Sequence, residues 1–393
     1  ALPILYSHAA FTGRLKELQQ AFKSVNPLIC YSMKANSNIA VLRALVKQGS
    51  GLDIVSGGEL ERAKRAGCPG EKIVFAGVGK TDEEIAAAIR YGILFFNVES
   101  IPEIAAINAV AEKLKRKATI SLRINPDVDP RTHRHISTGK KESKFGIDLL
   151  TAEEAFINRD QYPWVRFAGL HVHIGSQIES GTPFVHAFKK VTKFIADLQR
   201  DGVALEFLNI GGGLGVTYNH EKPQKASDYA KKVAPILKKT GLKIIMEPGR
   251  FVSANSGILA TQVIYVKETD VKQFAIIDAA MNDLIRPSFY DAYHRIEPVK
   301  KKAKSKTVVY DVVGPVCESG DYLAKGRKLP ELKRGDLIAV FSAGAYGYVM
   351  SSNYNTRGRA VEVLVKGSAF SVVKKRESVD ELLAGEVIPA YLK

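Results

Sequence analysis

The stretch Leu28-Ile29-Cys30-Tyr31-Ser32-Met33-Lys34-Ala35-Asn36 passes from an apolar run to a single lysine and then to polar residues. Its apolar part, Leu28–Met33, reads as a buried strand. Asn36 and Ser37 offer capping side chains, and Ile39–Val46 carries helical apolar spacing. Lys34 therefore stands where a strand gives way to a helix. A lysine there is either a surface residue of a βα turn or an amine made nucleophilic by burial or a cationic neighbour. The stretch alone leaves both open.

Working outward, the same alternation recurs. Strand-like runs follow at Leu52–Val55, Ile73–Phe75, Leu94–Val98, Thr119–Ile124, Phe167–Val172, Phe207–Ile210 and Lys243–Met246. Helical patterns stand between most of them, at Gly58–Ala66, Asp82–Tyr91, Ile101–Leu114, Pro183–Gln199 and Ala226–Thr240. Strand and helix alternating in this way predict an α/β fold, a (β/α)8 TIM barrel over residues 8–252. The longest break, 125–149, reads as a functional loop. Past Arg250 the strand-like runs follow one another: Gly257–Lys267, Gln273–Asp278, Thr307–Val313, Asp336–Phe341, Ala360–Val365 and Ala369–Lys375. They predict an all-β C-terminal domain, 253–393, joined by an N-terminal strand within 1–7.

Composition narrows the class. Of 393 residues, 46% are apolar and 25% charged, ordinary for a soluble protein. No apolar run is long enough to span a membrane, and no secretory leader is read. The three cysteines, Cys30, Cys68 and Cys317, form no paired motif, which suits a reducing cytoplasm. The formal charge of +16 comes from lysine runs such as Lys113–Lys117 and Lys300–Lys306. These lack interleaved aromatics, so they read as solvated surface rather than a nucleic-acid interface, while still steering anionic ligands.

Barrels carry chemistry at the C-terminal ends of their strands. Lys34 follows the first strand, and Asp53 and Ser56 end the second. Arg123 and Asn125 end the fifth, and His171 and His173 the sixth, before Gly175-Ser176. Gly211-Gly212-Gly213 follows the seventh, and Glu247-Pro248-Gly249-Arg250 the eighth. Glycines after strand seven let backbone N–H groups approach an anion, and Arg250 adds a forked donor. Glu247 could pair with Arg250 alone, or hold a heteroaromatic ring nitrogen protonated. A lysine able to condense with an aldehyde, a phosphate cradle and such an acid together describe pyridoxal phosphate. The rival is a metal site at His171/His173 or His133/His135, but no further acids gather and Lys34 is left unused. The flat His173 ring suits stacking on a cofactor instead.

Taken together, Tyr31–Asn36, His173–Ser176, Gly211–Gly213, Glu247–Arg250, Cys317-Glu318-Ser319-Gly320-Asp321 and Gly344-Ala345-Tyr346 resemble the alanine-racemase-fold pyridoxal phosphate decarboxylases. Within that family the chain is most similar to the branch acting on diaminopimelate, nearly end to end. The resemblance implies a homodimer with shared active sites and bound pyridoxal 5'-phosphate. Lys34 would hold the cofactor, His173 would stack on it and Glu247 would face its ring nitrogen. Asp53, Ser176, Gly212, Gly213, Gly249, Arg250 and Tyr346 would complete its binding. Arg250, Arg286, Tyr290 and Tyr346 would hold the substrate, while Cys317 and Glu318 reach in from the partner subunit.

The resemblance leaves other readings to test. Relatives acting on ornithine, lysine, arginine or carboxynorspermidine share the fold, but the ornithine type usually has aspartate at the position of Glu318. Arg286 and Glu318 together suit a far end bearing both carboxylate and amine. A racemase would want a tyrosine where this chain has Cys317-Glu318. A non-catalytic regulator would be expected to lose cofactor contacts that this chain keeps.

Overall fold

The computed structural model describes residues 2–128, 144–300 and 305–392. The chain opens with β1 (Ile4–Ser7) and α1 (His8–Ala21), then alternates: β2 (Leu28–Ser32), α2 (Ile39–Val46), β3 (Gly51–Ile54), α3 (Gly57–Ala66), β4 (Ile73–Phe75), α4 (Asp82–Tyr91), β5 (Phe95–Val98), α5 (Ile101–Leu114), β6 (Ala118–Arg123), α6 (Leu149–Ile157), β7 (Val165–His171), α7 (Thr182–Arg200), β8 (Phe207–Asn209), α8 (Ala226–Lys238) and β9 (Lys243–Met246). Strands β2 to β9 pair in sequence order, and β9 returns to β2 with Leu28 opposite Ile245. The sheet is thereby the closed parallel barrel that the alternation predicts.

Its strands are apolar runs because both of their faces are buried. Cys30, Val74, Phe95, Ala168, Phe207 and Ile245 form one packed layer. Side chains alternate along a strand, so the residue two further on lies on the same face. From Cys30, Phe95, Phe207 and Ile245 these are the buried polar residues Ser32, Asn97, Asn209 and Glu247, while from Val74 and Ala168 they are the buried apolar residues Ala76 and Leu170. On four of its strands the barrel thus changes from oily to polar over one step toward their C-terminal ends.

The helices start on capping side chains. Ser56, Thr81, Ser100 and Asp148 accept from backbone N–H groups in the first turns of α3, α4, α5 and α6. One expectation is corrected: α2 is capped by Asn38, which accepts from Ala40 N, while the Asn36 carboxamide instead takes the N–H of Asn38. Helix α1 is absent from the sequence-based expectation, although Phe11, Leu15, Leu18 and Phe22 recur at helical spacing and are buried.

The chain divides into two compact units. The barrel unit comprises Phe11–Thr217 and Glu221–Val252; the other comprises Ala1–Ala10, Tyr218–His220 and Ser253–Lys393. The second unit is built on β10 (Gly257–Glu268), β11 (Gln273–Ile277), β12 (Ile296–Pro298), β13 (Thr307–Val313), β14 (Tyr322–Pro330), β15 (Leu337–Val340), β16 (Glu362–Lys366) and β17 (Ala369–Lys374). With β1 they form a nine-stranded sheet in the order β14-β13-β11-β10-β1-β16-β17, to which β15 and β12 attach. β1 lies antiparallel to β10 and parallel to β16, and Tyr6 donates to Glu362 Oε1 at 2.6 Å. Strand β14 escapes sequence reading because Lys325, Gly326, Arg327 and Lys328 interrupt its apolar pattern.

Candidate active site

Lys34 lies in a single 3-10 turn, Met33–Ala35, directly after β2. Its Nζ is 3.1 Å from Asp53 Oδ2 on β3, and its side chain keeps 42% of its surface exposed. Ser32 donates to the same Asp53 oxygen, while Asp53 Oδ1 has no hydrogen-bond partner among the described residues. Burial and the nearby Glu247 push the Asp53 carboxyl above the usual carboxylate range, and Lys34 and Ser32 oppose them. The fully buried acid and the half-exposed amine form a pair whose cationic end faces outward.

Glu247 follows β9 and is buried. Its Oε1 accepts from Asn209 Nδ2 at 2.6 Å and from Asn97 Nδ2 at 2.8 Å. Oε2 lies 3.2 Å from His171 Nε2, close but without hydrogen-bond alignment. Burial works against ionisation here. His171, Lys34 and the Asn209 amide outweigh it and hold the carboxyl well below its ordinary range. Glu247 is therefore a fixed anion inside the barrel.

His173, two residues beyond β7, is half-buried. Its Nδ1 accepts the Gly212 N–H at 3.1 Å, so that nitrogen carries no proton. Burial, reinforced by Arg123 and Lys34, keeps the ring neutral far below the usual histidine range. The glycine run packs too closely for side chains. A Cβ at Gly212 would sit 2.2 Å from Glu247 O, and one at Gly213, whose φ is +108°, 2.5 Å from Gly175 O. Gly249 has Ser32 Cβ 3.1 Å from where its own Cβ would stand. Arg250 is buried, and its Nε donates to Ser176 Oγ at 3.3 Å. Lys34 with Asp53, His173 with Gly212, and Arg250 with Ser176 are thus brought together at the C-terminal ends of the barrel strands.

Beside them lies a buried ion pair, Arg123 Nη1 to Glu99 Oε1 at 2.7 Å. Glu99 Oε2 accepts the Gly146 N–H at 2.9 Å, and the Arg123 guanidinium stands 4.7 Å from the Phe145 ring centroid. The pair fastens the end of the long break after β6.

The remaining expected site residues belong to the second unit. Arg286 opens a short helix, Arg286–Tyr290, and Tyr290 meets Phe289 edge-on at 4.6 Å. Asp321 ties down the segment carrying Cys317 and Glu318, accepting from Met281 N and Val316 N at 2.7 Å each. Cys317 is exposed, and its N–H donates to Asn355 Oδ1 at 2.8 Å. Glu318 Oε1 accepts from Gly320 N at 3.2 Å. Tyr346 holds a left-handed backbone, φ 55°, rare for a bulky side chain.

Sequence reading missed Asn97 and Asn209. The available signal was one asparagine at the end of an apolar run in each case, Phe95-Phe96-Asn97 and Phe207-Leu208-Asn209. It read His171 only as a metal ligand, whereas the structure sets it against Glu247. His133 and His135 lie outside the described residues, and among those described no three His, Cys, Asp or Glu side chains group to hold a metal.

The family profile "Pyridoxal-dependent decarboxylase, pyridoxal binding domain" matches residues 8–254. Diaminopimelate decarboxylase of Pseudomonas fluorescens is 48% identical, covering 97% of this chain and 92% of that protein. Its counterpart in Aquifex aeolicus is 47% identical, covering 94% and 88%. Among solved structures, diaminopimelate decarboxylase from Helicobacter pylori complexed with L-lysine superposes with a TM-score of 0.94 at 43% identity, over 98% of this chain and 96% of that one. Lysine/ornithine decarboxylase of Vibrio vulnificus, at 22% identity and a TM-score of 0.82, shares the fold. The chain belongs to the diaminopimelate decarboxylase family of pyridoxal-dependent decarboxylases.

Proposed function

We infer that this chain removes one carboxylate of meso-2,6-diaminopimelate as carbon dioxide and returns a proton to the same carbon, giving L-lysine. The observation that carries the reading is Glu247, a buried anion held by Asn97 and Asn209, at the same end of the barrel as Lys34. Little but a cationic ring nitrogen calls for a fixed carboxylate beside a lysine amine and a glycine cradle.

The barrel residues fit pyridoxal 5'-phosphate. The Gly212–Gly213 backbone leaves no room for side chains, Arg250 and Ser176 stand as a linked donor pair, and the neutral His173 presents a flat ring. When bound, the cofactor supplies the sink for the electron pair left as the carboxylate departs. Lys34 would hold it covalently. Glu247 would keep its ring nitrogen protonated, and His173 would stack on it. Asp53 would keep the Lys34 amine oriented. Ser176, Gly212, Gly213, Gly249, Arg250 and Tyr346 would bind its phosphate. Arg250, Arg286 and Tyr290 would receive the substrate's distal carboxylate and Glu318 its distal amine, with Tyr346 also contacting the substrate. Cys317 or Lys34 delivers the proton.

Two copies would share their sites in this reading. Cys317 and Glu318 are exposed in the single chain, which leaves them accessible to a second copy. Among the described residues no helix is long and apolar enough to cross a membrane. The unpaired cysteines support a reducing compartment, the cytoplasm.

The test is carbon dioxide release from a panel of amino acids. Diaminopimelate should be turned over, with lysine and ornithine poor substrates. A specificity constant for ornithine equal to that for diaminopimelate would assign the chain to a different substrate.

A further inference from the structure

Arg286 has an uncommon neighbour within its own unit. Its Nη1 lies 2.9 Å from His294 Nε2, and the other ring nitrogen, Nδ1, lies 2.8 Å from Phe341 O. His294 is fully buried and Arg286 nearly so. A guanidinium can only donate and a carbonyl oxygen can only accept. Both contacts are hydrogen bonds in a single state, the neutral imidazole with its proton on Nδ1. The tautomer follows from the partners. In any other state Nε2–H would face a guanidinium N–H.

Tyr218 completes the arrangement. Although it lies between β8 and α8 in sequence, it clusters with the second unit. The Arg286 guanidinium stands 4.5 Å from its ring centroid, and its ring meets His294 edge-on at 5.5 Å. The aromatic face and the imidazole lone pair both orient the fork.

We propose that His294 and Tyr218 are specificity-determining positioning residues, which orient the Arg286 fork for the distal carboxylate of the substrate. The proposal rests on the reading that Arg286 receives that carboxylate.

The test compares two inhibitors of the holoenzyme. Lysine keeps the distal carboxylate and cadaverine lacks it. His294→Leu removes both hydrogen bonds, whereas His294→Gln keeps one acceptor and one donor. His294→Leu should weaken lysine inhibition about tenfold and raise KM for diaminopimelate similarly, with kcat changed less than about threefold. Cadaverine inhibition should stay within about twofold, and His294→Gln should recover most of the loss. Tyr218→Leu should act in the same direction more weakly.

Arg286→Ala separates the two ideas. If it leaves lysine inhibition unchanged, the carboxylate reading of Arg286 fails. If it weakens lysine inhibition while His294→Leu and Tyr218→Leu do not, the positioning role alone fails. A measurement independent of variant folding is long-range proton–nitrogen correlation on the ¹⁵N-histidine-labelled parent protein. It should find His294 with a protonated Nδ1 and a bare Nε2. A proton on Nε2 would overturn the proposal.

Discussion

Asn209 donates to Glu247 Oε1 across 2.6 Å, from the last residue of β8 to the residue that follows β9. With Asn97 on the same oxygen, the carboxylate is ionised before any ligand arrives. Glu247→Gln keeps the shape and removes the charge. Its kcat/KM should fall by the equivalent of roughly 2–4 kcal/mol of transition-state stabilisation. Turnover within a few-fold of the parent would make Glu247 a structural residue.

Gly212 is predicted to tolerate no side chain, because its Cβ would meet a backbone oxygen at 2.2 Å. Gly212→Ala should cost about 1–3 kcal/mol in urea unfolding and weaken cofactor retention. Gly13, inside α1 with nothing within 4 Å of its Cβ position, is the contrast. Gly13→Ala should stabilise by about 0.5–1 kcal/mol. Equal effects would mean that the cradle is not closely packed.

Glu59 gives a pH signature. Burial pushes its carboxyl from 4.5 up to about 7, although the Val55 N–H bonds to it. Between those values the folded chain holds a proton that the unfolded chain has released. Stability from this group therefore falls as pH rises through that window and levels off above it. Glu59→Gln still accepts from Val55 N and has nothing to ionise. At pH 8 it should be more stable than the parent by on the order of 3 kcal/mol, and near pH 4 the two should converge. Parallel stability curves would contradict the shift.

The shared-site reading predicts complementation. Lys34→Ala and Cys317→Ala should each be nearly inactive alone. In mixed dimers one site takes both lesions and the other neither, so random pairing leaves about a quarter of all sites intact. Mixed dimers that form and stay inactive would place both residues in one chain's site.

Most of the barrel was legible because its strands are short apolar runs, several of them ended by a chemically unusual residue. Lys34, Asp53, His173, Glu247 and Arg250 stand out by position alone. What stayed hidden depends on closure. Asn97 and Asn209 become partners of Glu247 only when β5, β8 and β9 surround one interior. His294 lies in an irregular segment between the Arg286 helix and β12, and its ring contacts, not its place in the sequence, reveal a role. Strand β14 was hidden by its lysines, and α1 by the absence of a clear capping signal. The N-cap of α2 fell at Asn38 because Asn36 is used in its own backbone turn.

The proposed function requires Lys34 as the covalent anchor of the cofactor. Borohydride reduction of the purified, yellow protein, followed by peptide mapping, tests this most directly. The label should be fixed on Lys34, in the peptide that follows β2. A label on any other lysine would contradict the proposed function.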